Sequence, residues 1–403
     1  MNKKDILFLC QFFYPENNSS ATLPFDTARF LAEKGYSVDV LCGFPKEYTN
    51  QIGVNSKETV ENVCIQRIRY IQLDRKKKIS RLINYFSFTF AVLMRILKLR
   101  KYKCVIVYSN PPVLPFVPAL VNLLFGTQFV FVTYDIYPEV AYASGTVRQG
   151  DFIDRLSNLL NKMIFKRVSK VVALTDEMKA YLIENRKSLS EDRVTVIPNW
   201  AHEEMMPNSK VHFCDEEAEN RPFVISYIGN MGTCQEMETL ARGVEILRNR
   251  KDIFFQFVGH GNKASQLKER FAGVSNVRFL DFLTGDELNS IVRESSCFVV
   301  SLEKGIRGMC APSKYYSYLY FGKPIIAIVE KESYLYEEVE KRKIGYGVEI
   351  GDVDRLIEVI SSMAKDSRGV QTMGKNAADV YERYYSTKHV RDRYYCLLEE
   401  ILH

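Results

Sequence analysis

Short apolar runs and longer amphipathic stretches alternate along the whole 403-residue chain. In the first half, the runs at 6–9, 38–42, 65–70, 104–108, 128–132, 170–174 and 194–197 predict strands. The stretches at 21–34, 79–100 and 151–167, and one ending at Phe125, predict helices. Gly35 closes the first helix, with Lys34 in its last turn. Val105-Ile106-Val107 and Phe129-Val130-Phe131-Val132 are apolar at every position, as strands covered on both faces are. This alternation predicts an α/β protein with a parallel sheet and helices on both faces.

The pattern breaks over 201–221, a polar stretch with acidic residues, two histidines and a proline, which reads as a linker. A second alternating half follows, with strands at 223–228, 254–258, 277–280, 297–301 and 324–329 and helices at 236–249, 285–294 and 313–321. The stretch 376–402 is helical and rich in tyrosine. The expected organisation is a Rossmann-like domain at 1–200, the linker, a second Rossmann-like domain at 222–380 and a terminal helix at 381–403.

Composition adds little except in its distribution. The net charge is +6, yet the stretch from Arg75 to Lys103 holds ten basic residues and no acidic one. The helix inside that stretch is apolar at Leu82, Ile83, Phe86, Phe90, Leu93 and Leu97. Two readings stay open: a core-facing helix with a solvated basic surface, or an amphipathic element on an anionic membrane leaflet. No nucleic-acid recognition module is visible, so no nucleic-acid partner is expected. No run reaches the roughly 18 apolar residues that span a membrane. Nine scattered cysteines without a Cys-x-x-Cys pair suit reduced thiols in the cytoplasm.

In open α/β sheets, ligands bind beyond the carboxyl ends of the strands. Tyr227-Ile228-Gly229-Asn230-Met231-Gly232 and Gly259-His260-Gly261 each follow a strand of the second half. Glycine there admits close backbone approach to a phosphate, and a plain tight turn fits as well. The strongest local signal is Arg307-Gly308-Met309-Cys310-Ala311-Pro312-Ser313-Lys314, which opens the helix at 313–321 with two cations near its start. That combination suits a pyrophosphate. In the first half, Tyr134-Asp135-Ile136-Tyr137-Pro138-Glu139 offers two carboxylates, Asp135 and Glu139, that could take a proton from a hydroxyl or orient it. Asp352-Val353-Asp354 resembles a metal-binding pair, but Asp352 stands before a helix and reads as its N-cap. No metal or cofactor is expected.

These stretches resemble GT-B glycosyltransferases of the large retaining family 4, and within it the branch of L-fucosamine transferases from O-antigen and capsule clusters. Phe12–Asn17, Leu41–Pro45, Asp135–Glu139, Val196–Trp200, Tyr227–Gln235, Pro312–Lys314 and Gly322-Lys323-Pro324 carry the resemblance, in order over nearly the whole chain. It implies two Rossmann-like domains facing across a cleft, a terminal helix that returns to the first, and no metal. It implies a nucleotide-sugar donor on the second domain, held by Gly229, Asn230, Met231, Gln235, Gly259, His260, Phe282, Arg307, Gly308, Met309, Ser313 and Lys314. It implies a lipid-pyrophosphate-linked glycan acceptor on the first, at Glu16, Asn17, Asn18 and Ser19, with Asp135, Glu139 and Lys314 as the catalytic groups. UDP-linked N-acetyl-L-fucosamine is the donor by resemblance only.

Three features depart from the wider family. Its Glu-x7-Glu pair is replaced by Met309 and Ser317. Its basic pair after the first strand of the second domain is missing, with Asn230 and Gln235 near those places, so Lys314 must do more of the phosphate work. Its histidine after the strand at 128–132 is absent, and Tyr134 and Asp135 occupy that place. The expectation is a transferase peripherally attached to the inner face of the cytoplasmic membrane; the alternative is a partner subunit with a dead site. Lys314 is expected to project into solvent, with little part in folding.

Overall fold

The computed structural model describes residues 3–46, 53–74, 77–143, 145, 147–201 and 221–403. Most of the expected linker, 202–220, lies outside the described residues, as do Arg75 and Lys76 of the basic stretch. The chain divides into two compact units. The first comprises Met1–Pro198, Gly308–Ala311 and Val390–His403; the second comprises Asn199–Arg307 and Pro312–His389.

In the first unit the elements run β1 (Lys4–Leu9), α1 (Ser19–Glu33), β2 (Val38–Gly43), β3 (Lys57–Val60), β4 (Val63–Ile68), α2 (Lys78–Leu93), α3 (Ile96–Leu99), β5 (Tyr102–Tyr108), α4 (Phe116–Phe125), β6 (Gln128–Val132), α5 (Glu139–Ala143), α6 (Phe152–Arg167), β7 (Lys170–Ala173), α7 (Asp176–Asn185) and β8 (Val194–Val196). The described residues form an eight-stranded sheet in the order β3-β4-β2-β1-β5-β6-β7-β8, parallel except for the β3–β4 hairpin. The strand order reverses at β1, where β2 lies on one side and β5 on the other.

The second unit runs β9 (Phe223–Ile228), α8 (Glu238–Leu247), β10 (Ile253–Val258), α9 (Ala264–Arg270), β11 (Val277–Leu280), α10 (Gly285–Glu294), β12 (Cys297–Ser301), α11 (Ser313–Tyr320), β13 (Ile325–Val329), α12 (Tyr334–Lys341), β14 (Gly345–Glu349), α13 (Val353–Met363) and α14 (Ser367–Val380). Its described strands form a six-stranded, wholly parallel sheet, β11-β10-β9-β12-β13-β14, whose order reverses at β9. Alternate side chains of β12 enter opposite cores: Cys297 and Val299 face one, Phe298 and Val300 the other. That is why these strands read as unbroken apolar runs.

The last helix, α15 (Thr387–Leu402), returns to the first unit. Arg391 pairs with Asp26 of α1, the Tyr36 hydroxyl donates to Glu399, and Lys34 lies 5.5 Å from the Tyr395 ring centre.

Several elements differ from expectation. β3 reads as polar because it is a short edge strand with alternate residues half-buried. β14 is hidden in the sequence by Gly345 and Gly347; a Cβ on Gly345 would stand 1.8 Å from the Ile325 carbonyl oxygen, so the close strand pairing excludes larger residues. The single helix expected at 79–100 is two, divided at Met94–Arg95, where Arg95 N–H turns to the Val92 carbonyl. The helix expected at 376–402 is interrupted by a π-helical turn, Tyr381–Tyr385. That turn seats Tyr381 against Tyr320 (ring centres 5.3 Å apart) and Tyr385 against Tyr316 (5.1 Å), so the C-terminal tyrosines brace α11.

Candidate active site

The carboxyl ends of β9 and β10 are joined by main-chain hydrogen bonds. Gly229 N–H donates to the Val258 carbonyl at 2.8 Å, Met231 N–H to the His260 carbonyl at 2.7 Å and Lys263 N–H to the Met231 carbonyl at 3.0 Å. Gly259 has φ +126°, and a Cβ there would meet the Gly229 oxygen at 2.3 Å. Gly261, at φ +145°, would place a Cβ 2.3 Å from the Met231 oxygen. Glycine is therefore required at both places by the contact between two loops, whether or not a ligand follows.

Lys314, in the first turn of α11, reaches across to this junction. Its Nζ donates to the Tyr227 hydroxyl, to Gln235 Oε1 at 3.1 Å and to the Asn230 carbonyl at 3.3 Å, and lies 3.8 Å from the Tyr227 ring centre. Burial pushes its pKa well below the usual lysine value. The expected solvated lysine is thus corrected: the amine is caged, because the aromatic floor of Tyr227 and two polar acceptors are within its reach. Among the described residues every hydrogen-bond acceptor of this amine is neutral. Pro312 at the helix start supplies no side-chain cap for the first backbone N–H groups of α11. The helix itself is pinned by Tyr318, whose hydroxyl accepts from Ile228 N–H at 3.0 Å and donates to the Ile228 carbonyl at 2.9 Å.

Other expected donor residues separate. Gly229, Asn230 and Gln235 stand around Lys314. Ser313 begins the same helix, and Arg307 is exposed on the turn before it. His260 and Phe282 stand beside one another beyond β10 and β11, with ring centres 6.1 Å apart and Phe282 57% exposed. Met231 is a correction: its side chain is wholly buried in the core of the second unit, leaving only its backbone near the loops. Gly308 and Met309, by contrast, are knitted to the first unit. Ile136 N–H donates to the Met309 carbonyl at 2.8 Å, Cys310 pairs with Asp135 in an antiparallel bridge, and Met309 packs on the first core.

In the first unit, the Ser109 hydroxyl oxygen accepts from the N–H groups of Tyr134 and Asp135, which fixes the turn after β6. Burial raises the Asp135 carboxyl to about 6. Glu139, expected to share its role, instead pairs with Arg186 at 2.7 Å. That pair ties α5 to the end of α7. Of the expected acceptor residues, Glu16 is buried, Asn17 and Ser19 are exposed, and Asn18 starts α1. Lys46 N–H approaches Glu16 Oε1 at 3.4 Å. Asp352 caps α13, its Oδ1 accepting from Arg355 N–H at 3.0 Å. Among the described residues, no group of three or more His, Cys, Asp or Glu side chains could hold a metal. Nor is any described helix long and apolar enough to cross a membrane.

Residues 25–200 match the glycosyl transferase 4-like domain, and residues 210–380 match the glycosyl transferases group 1 domain. The chain is 25% identical over 270 residues to WbjE of Pseudomonas aeruginosa, described as a glycosyltransferase; the match spans 65% of this chain and 66% of that protein, just under two thirds of its length. It is 22% identical over 341 residues to WcaI of Escherichia coli K12, described as a colanic acid biosynthesis glycosyl transferase, spanning 80% of this chain and 82% of that one. Among solved structures, sucrose-phosphate synthase from Thermosynechococcus elongatus superposes with a TM-score of 0.74 at 15% identity, covering 99% of each chain. HepE of Anabaena, solved with UDP-glucose, superposes at 0.69 and 14% identity, covering 99% of each. Both halves are therefore glycosyltransferase domains of the GT-B fold. The chain belongs to the family-4 glycosyltransferases.

Proposed function

We propose that this glycosyltransferase moves a sugar, of the N-acetylhexosamine type and by resemblance N-acetyl-L-fucosamine, from UDP to a lipid-pyrophosphate-linked glycan. The transfer retains anomeric configuration, needs no metal, and serves O-antigen or capsule assembly at the inner face of the cytoplasmic membrane. The relatives WbjE and WcaI support the pathway class, and the HepE complex with UDP-glucose supports the donor class. The observation that carries the reading is Lys314: a lysine amine at the strand-order reversal of the second sheet, whose acceptors among the described residues are all neutral.

In the transfer, the bond from the anomeric carbon to the diphosphate oxygen breaks, and a bond to the acceptor oxygen forms. Negative charge grows on the departing diphosphate. A lysine that meets this charge more strongly in the transition state than in the bound donor raises turnover. Binding of the diphosphate also offsets the cost of burying the amine, so the lysine takes up its full charge as the donor arrives. The acceptor hydroxyl gives up its proton, and Asp135 is the group assigned to receive or orient it.

A panel of nucleotide-sugars offered with a lipid-pyrophosphate-sugar acceptor, with and without EDTA, tests this by mass-spectrometric detection of product. Transfer from a UDP-N-acetylhexosamine that survives EDTA is the expected result. Donor binding without transfer from any donor would favour the dead-site partner.

A further inference from the structure

The core of the first unit claims only one side of α2. Phe88, Val92 and, in α3, Leu99 are fully buried there. The opposite side is also apolar, and it is bare: Ile79 is 74% exposed, Phe90 62%, Met94 69% and Leu97 60%, with Ile83 and Phe86 between them also exposed. The spacing of 79, 83, 86 and 90 keeps these four on one face of α2, and Met94, at its end, and Leu97, in α3, follow beyond the break. Asn84 and Ser87 bond the backbone of Leu73 and Ile71, which straps that segment to α2 and sets two more exposed apolar side chains beside it. Leu123 and Leu124, exposed at the end of α4, extend the face, since Arg100 after α3 lies 5.7 Å from the ring centre of their neighbour Phe125.

We propose that this face is where the enzyme lies on an anionic lipid bilayer. Isolated exposed apolar residues are ordinary, but a contiguous row on one helix marks a partner. Charge decides which partner. Lys77, Lys98, Arg100 and Lys101 are exposed around the row, and no acidic residue occurs from Arg75 to Lys103. Lys98 also lines a recess with Lys4 and Lys57, in which Asp39 is the one carboxylate. An apolar row with a basic border matches acyl chains beneath anionic headgroups, whereas a second copy of the same face would set cation against cation. The helix lies in the interface plane and does not cross. The proposal deepens the location given under the proposed function, but its test reads vesicle binding alone and needs neither donor nor acceptor.

The experiment is co-sedimentation of the full chain with phosphatidylglycerol-containing or pure phosphatidylcholine vesicles, with light scattering of the free protein alongside. The intact protein binds the anionic vesicles more tightly and releases with rising salt. Phe86→Ser with Phe90→Ser weakens binding about tenfold or more, and Lys98→Ser with Lys101→Ser removes most of the preference for anionic lipid. Both pairs are exposed, so circular dichroism and melting temperature stay unchanged. Absence of binding to anionic vesicles at low salt overturns the proposal. So does full binding by the phenylalanine variant, or a dimer of the intact protein that this variant abolishes while vesicle binding persists.

Discussion

The strand ends of the two sheets are built by different means. At β9 and β10 the loops are held backbone to backbone, with glycines where any Cβ would collide, and the Lys314 amine projects among them. At β1 and β5 polar side chains dominate, and the buried amide oxygens of Gln11, Asn18 and Asn110 have no hydrogen-bond partner among the described residues. Backbone N–H groups and one compact cation suit a diphosphate, which is the same in every donor. Unpartnered side-chain acceptors suit hydroxyl donors, whose arrangement differs from one glycan to the next. Under the proposed function, the second unit would take the constant ligand and the first the variable one.

The contrast breaks most readily at Lys314. Lys314→Ala is expected to lower turnover about 10- to 1000-fold, the scale of a lost transition-state donor. Its melting temperature should fall only slightly, because Tyr227 and Gln235 still bond one another at 3.0 Å without the amine. Gln235→Lys in the same background places an amine at the same junction and should recover part of the loss. Turnover, donor affinity and melting temperature measured together decide it; full activity of Lys314→Ala would leave the phosphate to the backbone.

Gly259→Ala asks whether the backbone junction matters as much. The collision at 2.3 Å and the φ of +126° should cost about 3 kcal/mol of stability, read by denaturant unfolding. A stable variant would mean that the two loops are free to part.

In the first unit the comparison sharpens with pH. Burial lifts the Asp135 carboxyl to about 6, above an unfolded value of about 3.9. The folded state therefore holds this proton more tightly, and its contribution to stability is lost as pH rises through about 6. Asp135→Asn should remove that decline, which unfolding curves between acid and neutral pH would show. Transfer by the intact enzyme should rise through the same window as the carboxylate forms, and the Asn variant should lack the rise.

The smallest expected effect is at Phe282. Its exposed ring beside His260 offers a platform for the flat base of the donor. Phe282→Ala should raise the donor KM about three- to tenfold and leave the melting temperature unchanged. An unchanged KM would put the base elsewhere.

Sequence alone determined the alternating architecture, because buried parallel strands must be apolar on both faces and no other soluble element repeats in that way. It also carried the position of α11 and its lysine, since a Pro-Ser start between an apolar strand and a glycine stop is local information. The missed strands, β3 and β14, lack an apolar run: one is a polar edge, the other is made tight by glycines whose need lies in a neighbouring strand. Which polar groups meet was settled by packing. Glu139 and Asp135 stand four residues apart in one motif, yet Arg186, 47 residues on, binds the first and leaves the second to be shifted by burial. Lys314 finds Tyr227, 87 residues earlier, as its floor. The two apolar sides of α2 look equally suited to a core in the sequence, and only packing shows that one of them is left bare. Hydrophobic periodicity is a property of neighbours along the chain, whereas pairing, burial and exposure depend on contacts between residues far apart in it.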